Sequence, residues 1–301
     1  MFRTHRPFSR AALLLTVFAL VVSLVSPVLS ESADPYALPL DIHVGGSAPD
    51  PAGVTENGYH DETLDVRKET VRYNDNTFHI AWFTIKSPTQ LRTTCAGLPN
   101  TNNIARPLQM GKKLNAVLIL NGEFYVQRTQ DIFVWRQGEM YRNQADPQKD
   151  VLIIDENADF HVFTSENKQQ EIEDWVAAGG TIVNAFSFGP ALIIDGVKQT
   201  VREDYYFDGQ STLPRSVIAQ VGPLSYVFVE CEGRKNDARG CTHQQMADFM
   251  ETLNVQTAYN VDGGQSSVMI LNNRYADDKT RDTERQQSDI IYVVSARDAK
   301  E

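Results

Sequence analysis

Several polar groups that could do chemistry stand at the ends of apolar runs in this 301-residue chain. "YNVDGGQSS" (259–267) closes one run with Asn260, Asp262, Gly263, Gly264 and Ser266. "VFVECEGR" (227–234) closes another with Glu230, Glu232 and Arg234, and "LPRSVIAQ" (213–220) opens one with Arg215. "LILNGEFY" (118–125) carries Asn121 and Glu123 out of a fourth, and Ser187 and Gly189 precede "ALIIDG". Strand ends and the loops after them are where a sheet presents side chains to a cleft. Taken singly, each group has an ordinary explanation: Asn-Gly and Asp-Gly are turn dipeptides, and the charged residues suit a solvated loop. Taken together, they suit a sugar that carries phosphate. Arginine holds phosphate through parallel charge-assisted bonds. Successive N–H groups of a Gly-Gly turn can cradle an anion. Carboxylates serve as acid, base or nucleophile at an anomeric carbon. Phosphate is itself a good leaving group, so demand for an acid is reduced.

Other chemistries find little support. The chain has no G-x-S-x-G, no G-x-x-x-x-G-K-[ST], and no C-x-x-C or H-x-x-H pair, so neither a serine nucleophile elbow, a P-loop nor a zinc site is indicated. No cofactor is required, although the acidic "NRYADDKTRD" (273–282) leaves room for a structural Ca²⁺. His243 fits a first-turn helix residue better than a base. The formal charge is −11, which argues against nucleic acid as a partner, because phosphate backbones require clustered Lys and Arg. Cys231 and Cys241 flank the polar loop "EGRKNDARG" and could close it as a disulfide, leaving Cys95 as the odd cysteine. The alternative is three unpaired small apolar side chains.

The elements that must position these groups form an α+β pattern. Residues 78–85, 115–121, 181–186, 191–196, 216–222, 224–231, 257–261, 266–271 and 290–296 read as strands, and 151–155 with 160–164 as a hairpin. "QEIEDWVAAGG" (170–180) reads as a helix stopped by glycine. The clearest helix is 242–253, where Thr242 and Gln245 make a capping box and Met246, Phe249, Met250 and Leu253 form one apolar stripe. This predicts a single domain over 65–301 with an extended mixed or antiparallel sheet flanked by a few helices. The Pro- and Gly-containing residues 31–64 read as an N-terminal extension or linker.

Residues 1–30 have the layout of a secretory signal peptide: Arg3, Arg6 and Arg10, then an uncharged apolar core over 11–25, then Val28 and Ser30 at a small-residue cleavage site. Their removal takes away three arginines and changes the charge from −11 to −14. The core is shorter than the ~20 residues of a membrane span, and no second stretch of spanning length follows. The expected location is therefore secreted or associated with the cell envelope. The sequence does not fix an oligomeric state.

"LNGEFY", "FSFGPALIIDGVK", "PRSVIAQ", "VECEGR…GCTHQQMADFM" and "AYNVDGGQSSVMIL" occur in the order and spacing of the phosphodiester glycosidase domain. That domain is also found in the enzyme that uncovers mannose 6-phosphate by removing N-acetylglucosamine. The resemblance covers roughly 115–296. It implies an α+β fold and hydrolysis of the bond between a sugar C1 and a phosphodiester, with a glycan or sugar-1-phosphodiester as substrate. On the matching positions it implies Asp262 as the essential carboxylate, with Glu232 at the family's aspartate position as a second; Glu123, a departure from the family, is a further candidate carboxylate. It implies Arg215 and Arg234 as the phosphate clamp, with Asn121, Asn260, Gly263, Gly264 and Ser266 around the substrate. The chain departs from the family pattern in three places. Glu123 and Gln265 stand where the family has glycine, and Glu232 stands where it has aspartate. These departures motivate the alternative of a non-catalytic envelope protein that binds phosphorylated glycan.

Overall fold

The structure, a computed structural model, describes residues 41–97, 101–123, 133–205 and 209–297. The signal-peptide segment 1–30 and the first ten residues of the extension lie outside the described residues. With strands numbered along the chain, three antiparallel sheets are formed. The largest runs in the order β1 (Gly58–His60), β2 (Leu64–Tyr73), β3 (Asn76–Ile85), β14 (Ser225–Cys231), β13 (Arg215–Gly222), β15 (Thr257–Val261), β11 (Ala191–Ile194), β12 (Val197–Lys198). A second runs β7 (Glu139–Asn143), β6 (Phe133–Arg136), β10 (Asn184–Phe186), β8 (Val151–Ile154), β9 (Phe160–Phe163). The third runs β17 (Arg274–Tyr275), β16 (Met269–Leu271), β5 (Ala116–Asn121), β18 (Asp289–Val294), β4 (Leu91–Cys95).

Local chemistry explains the main elements. The β2–β3 hairpin turns at Asn74 and Asp75, both at positive φ (45° and 61°), which is the conformation a two-residue hairpin loop requires and Asn and Asp tolerate. The expected 151–155/160–164 hairpin is β8–β9. The helix expected over 242–253 is α3 (His243–Glu251), numbered after α1 (Pro107–Lys113) and α2 (Lys168–Ala177). Its N-terminus carries the anticipated reciprocal cap: Thr242 Oγ1 accepts from the Gln245 N–H and Gln245 Oε1 from the Thr242 N–H. Met246, Phe249 and Met250 then pack on Val217, Ala219, Val227 and Val229 of the large sheet. Burying each such side chain stabilises the fold by roughly 1.5–3 kcal/mol. On the opposite face of that sheet, Ile218, Phe228 and Tyr259 meet Leu118, Leu120 and Ile291 of the third sheet and Leu152 and Phe186 of the second. The main core therefore lies where the three sheets meet.

The folded sheet begins before residue 65. Tyr59 of β1 is buried, its strand pairs with β2, and its hydroxyl donates to Asp61 at 2.7 Å. Among the described residues, no helix is long and apolar enough to cross a membrane.

Candidate active site

Antiparallel pairing brings the chemistry together. Strand β13 lies between β14 and β15, so its start faces both of their ends. Arg215 pairs across from Cys231, and Ser216 from Val261. Arg215, the 232–240 loop and the Asp262-Gly263-Gly264 turn therefore share one end of the sheet's central strands. They line a pocket of about 370 Å³, whose described lining is Phe188, Leu213, Arg215, Arg234, Asp262, Gly263, Gly264, Gln265 and Arg285.

Arg215 is buried and pinned by directed bonds. Nε donates to the Cys241 carbonyl (3.0 Å), Nη2 to the Ser211 carbonyl (3.0 Å) and Nη1 to Nε2 of His243 (2.8 Å). Arg234, by contrast, is exposed and sits at positive φ (62°) in a loop closed by its own N–H to the Arg239 carbonyl. The turn after β15 is equally specific. Asp262 Oδ1 accepts the Gly263 N–H at 2.8 Å, and the Gly264 N–H donates to the Pro214 carbonyl at 2.8 Å. Gly263 presses on β13 so closely that a Cβ there would lie 2.7 Å from the Pro214 oxygen. Gly264 has φ +62° and sits next to the Arg234 guanidinium, 3.4 Å from where its Cβ would be.

Of the anticipated residues, Arg215, Arg234, Asp262, Gly263 and Gly264 converge on the pocket. Three others hold its walls from behind. Asn121 is fully buried; its Nδ2 donates to the Asp262 carbonyl (2.6 Å) and its Oδ1 accepts from Val268. Asn260 Nδ2 donates to the Gly189 and Val261 carbonyls, fixing the segment after Phe188. Ser266 is buried, with its hydroxyl 3.3 Å from Arg285 Nη1 and its carbonyl accepting from Gln287.

The two glutamates are placed elsewhere. Glu123 is buried against Arg136 Nη2 (3.0 Å) and the Ser187 N–H (2.8 Å), in a network where Arg136 also holds Asp289 (2.7 Å). Burial pushes the Asp289 carboxyl up to about 7, with the Glu123 charge adding to the shift and Arg136 opposing it. Glu232 is held by His79 Nε2 (2.7 Å) and Lys235 Nζ (2.7 Å). Burial raises its pKa, but these two partners pull it below the usual glutamate value. Among the described lining residues, Asp262 is the one carboxylate.

The disulfide expected between Cys231 and Cys241 is not formed. Both are buried free thiols whose sulfurs lie 3.0 Å apart, an S–H···S contact well beyond the ~2.05 Å of a bond. Cys231 ends β14 across from Arg215, and Cys241 bridges to Leu213, two residues before Arg215. The Cys231 thiol is pushed up by its contact with Cys241 and by burial. Cys95 is buried.

Arg285 was not anticipated. It adds a third cation to the pocket, from the loop ahead of β18. Its signal was the same as Arg215's: a basic residue a few positions before an apolar run, here "DIIYVV". Among the described residues, no group of three or more His, Cys, Asp or Glu is arranged to hold a metal.

Comparison with known proteins bears on this arrangement. The phosphodiester glycosidase family matches residues 114–294, a span that contains every described lining residue of the pocket. The catalytic domain of the zebrafish N-acetylglucosamine-1-phosphodiester alpha-N-acetylglucosaminidase, in a structure auto-inhibited by its pro-peptide, is similar. It has a TM-score of 0.59 and 16% identity over 87% of this chain and 99% of that one. A hypothetical protein from Synechocystis has a TM-score of 0.60 and 16% identity over 77% of this chain. The match spans 62% of the Synechocystis protein, so less than two thirds of its length. Likeness at this identity establishes a shared fold. Comparison with curated proteins gives no match.

Proposed function

Because the chain belongs to the phosphodiester glycosidase family, we propose that it is an exported or envelope-associated hydrolase that cleaves the C1–phosphate bond of glycan phosphodiesters, releasing a sugar and leaving a phosphomonoester. The observation that carries this reading is that Arg215, Arg234 and Arg285 line one pocket together with the carboxylate-bearing Asp262, beside a Gly-Gly turn whose second glycine is left-handed. The arginines take the phosphate, whose leaving tendency they raise by neutralising the charge that develops on it. Asp262 acts at C1, either by drawing a proton from the attacking water or by bonding C1 itself. In the net reaction a water oxygen bonds C1, the C1–O bond to phosphate breaks, and its electron pair stays on the phosphate. A leaving group of this kind needs little protonation, which is consistent with Glu123 and Glu232 lying outside the described pocket lining, each engaged by other basic side chains.

The test is turnover of sugar-1-phosphodiesters by the mature protein, followed as released sugar. Asp262→Asn should lower kcat by about 10²-fold or more, with phosphate affinity retained. Equal turnover by wild type and variant would remove Asp262 from the mechanism. One observation favours a second reading, a non-catalytic binder of phosphorylated glycan: a lone carboxylate lines the described pocket. Binding of sugar phosphate by the wild type with no release of sugar would select that reading.

A further inference from the structure

We infer that His243 is a positioning residue that holds the Arg215 guanidinium toward the pocket through a neutral imidazole acceptor. The inference rests on the phosphate-binding role proposed for Arg215. Nη1 of Arg215 lies 2.8 Å from His243 Nε2. Arginine only donates and does not deprotonate in proteins, so the bond requires a lone pair on Nε2 and places the ring proton on Nδ1. The surroundings favour the neutral ring, although Nδ1 itself has no hydrogen-bond partner among the described residues. The ring is fully buried, at the first turn of α3, where the positive end of the helix disfavours imidazolium. Nδ1 packs on Gly209, where even a Cβ would come within 2.8 Å, and the His243 N–H donates to the Gly209 carbonyl. Tyr205 closes the ring edge-on, with centroids 6.0 Å apart. Consistent with this cage, burial and the Arg215 charge push the imidazole down to about 2.

The choice of acceptor has a consequence for charge. A carboxylate at this place would orient the guanidinium equally well, but would also neutralise part of the charge that must meet the phosphate. A neutral imidazole aims the arginine without adding negative charge beside it. The carbonyls of Cys241 and Ser211 on Nε and Nη2 act in the same sense. The side chain at 243 therefore tunes affinity for the anion without touching it.

Three variants test this, with calorimetric binding of inorganic phosphate and of a sugar 1-phosphate as the readout. His243→Gln keeps a neutral acceptor and should bind within about threefold of wild type. His243→Glu supplies an anionic acceptor and His243→Leu supplies none. Each should weaken phosphate binding by about 10-fold or more, or roughly 1.4 kcal/mol. The Gln–Glu comparison stands even if the Leu variant does not fold, because the two are near-isosteric and differ in charge. A loss caused by packing alone would affect Gln as much as Glu. Equal phosphate affinity in Gln and Glu variants would overturn the inference while leaving the phosphate-binding reading in place. A wild type that binds neither probe would instead overturn the phosphate-binding reading, and the inference with it.

Discussion

Replacing Arg215 by lysine keeps a positive charge and removes a geometry, and the structure gives the size of the effect. Among the described residues the guanidinium bonds, from a buried position, to Cys241 O, Ser211 O and His243 Nε2. A lysine ammonium is a single donor centre on a flexible stem and can keep about one of the three. Each hydrogen bond to a charged group contributes about 1.5 kcal/mol net at the low end, so losing two should destabilise the protein by about 3 kcal/mol. The effect on substrate follows from the same planar fork. Parallel N–H bonds to phosphate become one point contact, a loss of about 1.5–3 kcal/mol of binding, or about 10- to 150-fold in kcat/KM. Both numbers are accessible in one preparation: urea unfolding for the first, and release of sugar from a phosphodiester for the second. An Arg215→Lys variant with wild-type stability and kcat/KM within threefold would show that position 215 supplies charge alone. It would also refute the argument that its three anchoring bonds matter.

Further outcomes are expected from the turn and from the buried ion network. Gly264→Ala places a Cβ at ordinary contact distance from Arg234 but holds a non-glycine residue at φ +62°, which costs roughly 1–2 kcal/mol. Its unfolding midpoint should fall and its phosphate affinity weaken, and unchanged values of both would contradict the role given to the turn. The Glu123–Arg136–Asp289 network should make stability depend on pH. Asp289 titrates at about 7 in the folded protein, well above the ordinary aspartate value, chiefly because it is buried. Its contribution is fully present below the unfolded value near 4 and is lost as pH rises through about 7, at up to ~1.4 kcal/mol per pH unit. Denaturation at pH 5, 6 and 7 should therefore show stability falling with pH in the wild type and a flatter profile in Asp289→Asn. An identical slope in both would mean that another group holds the proton.

What could be read from the sequence was what local pattern determines. The apolar run of β5, the β8–β9 hairpin and the capping box of α3 depend on neighbours a few residues away, and all formed. Strand β4 was missed because "LRTTC" is polar in sequence yet buried throughout. Thr93 is accommodated by the Asn184 side chain (2.6 Å), and Arg92 by the Thr89 and Val44 carbonyls. Helix α1 was missed because it is short and carries Gly111, which looks like a breaker. The glycine is there for packing, since a Cβ would fall 2.2 Å from Ile119 Cδ1. Strand β2 mixes buried Leu64 and Val66 with exposed Asp65 and Arg67, and its first residue was read as linker.

The site shows the same division. Position at a strand end was enough to expect Arg215, Arg234 and Asp262 near one another, because antiparallel pairing carries strand ends to one end of the sheet. It could not rank the carboxylates, because their fates are set by distant partners. Glu123 meets Arg136 on a strand of another sheet, and Glu232 meets His79, 153 residues away along the chain. Cation placement therefore does the sorting. Two acids are paired with cations elsewhere in the fold, and the third lines the described pocket with three arginines. This local excess of positive charge sits in a chain of formal charge −11. Charges further away than a Debye length of ~8–10 Å are screened, so a single phosphodiester reaching the pocket meets the arginines while a long polyanion must also meet the acidic surface. On the proposed function, the same charge distribution that favours one phosphate attached to a sugar disfavours a nucleic-acid backbone.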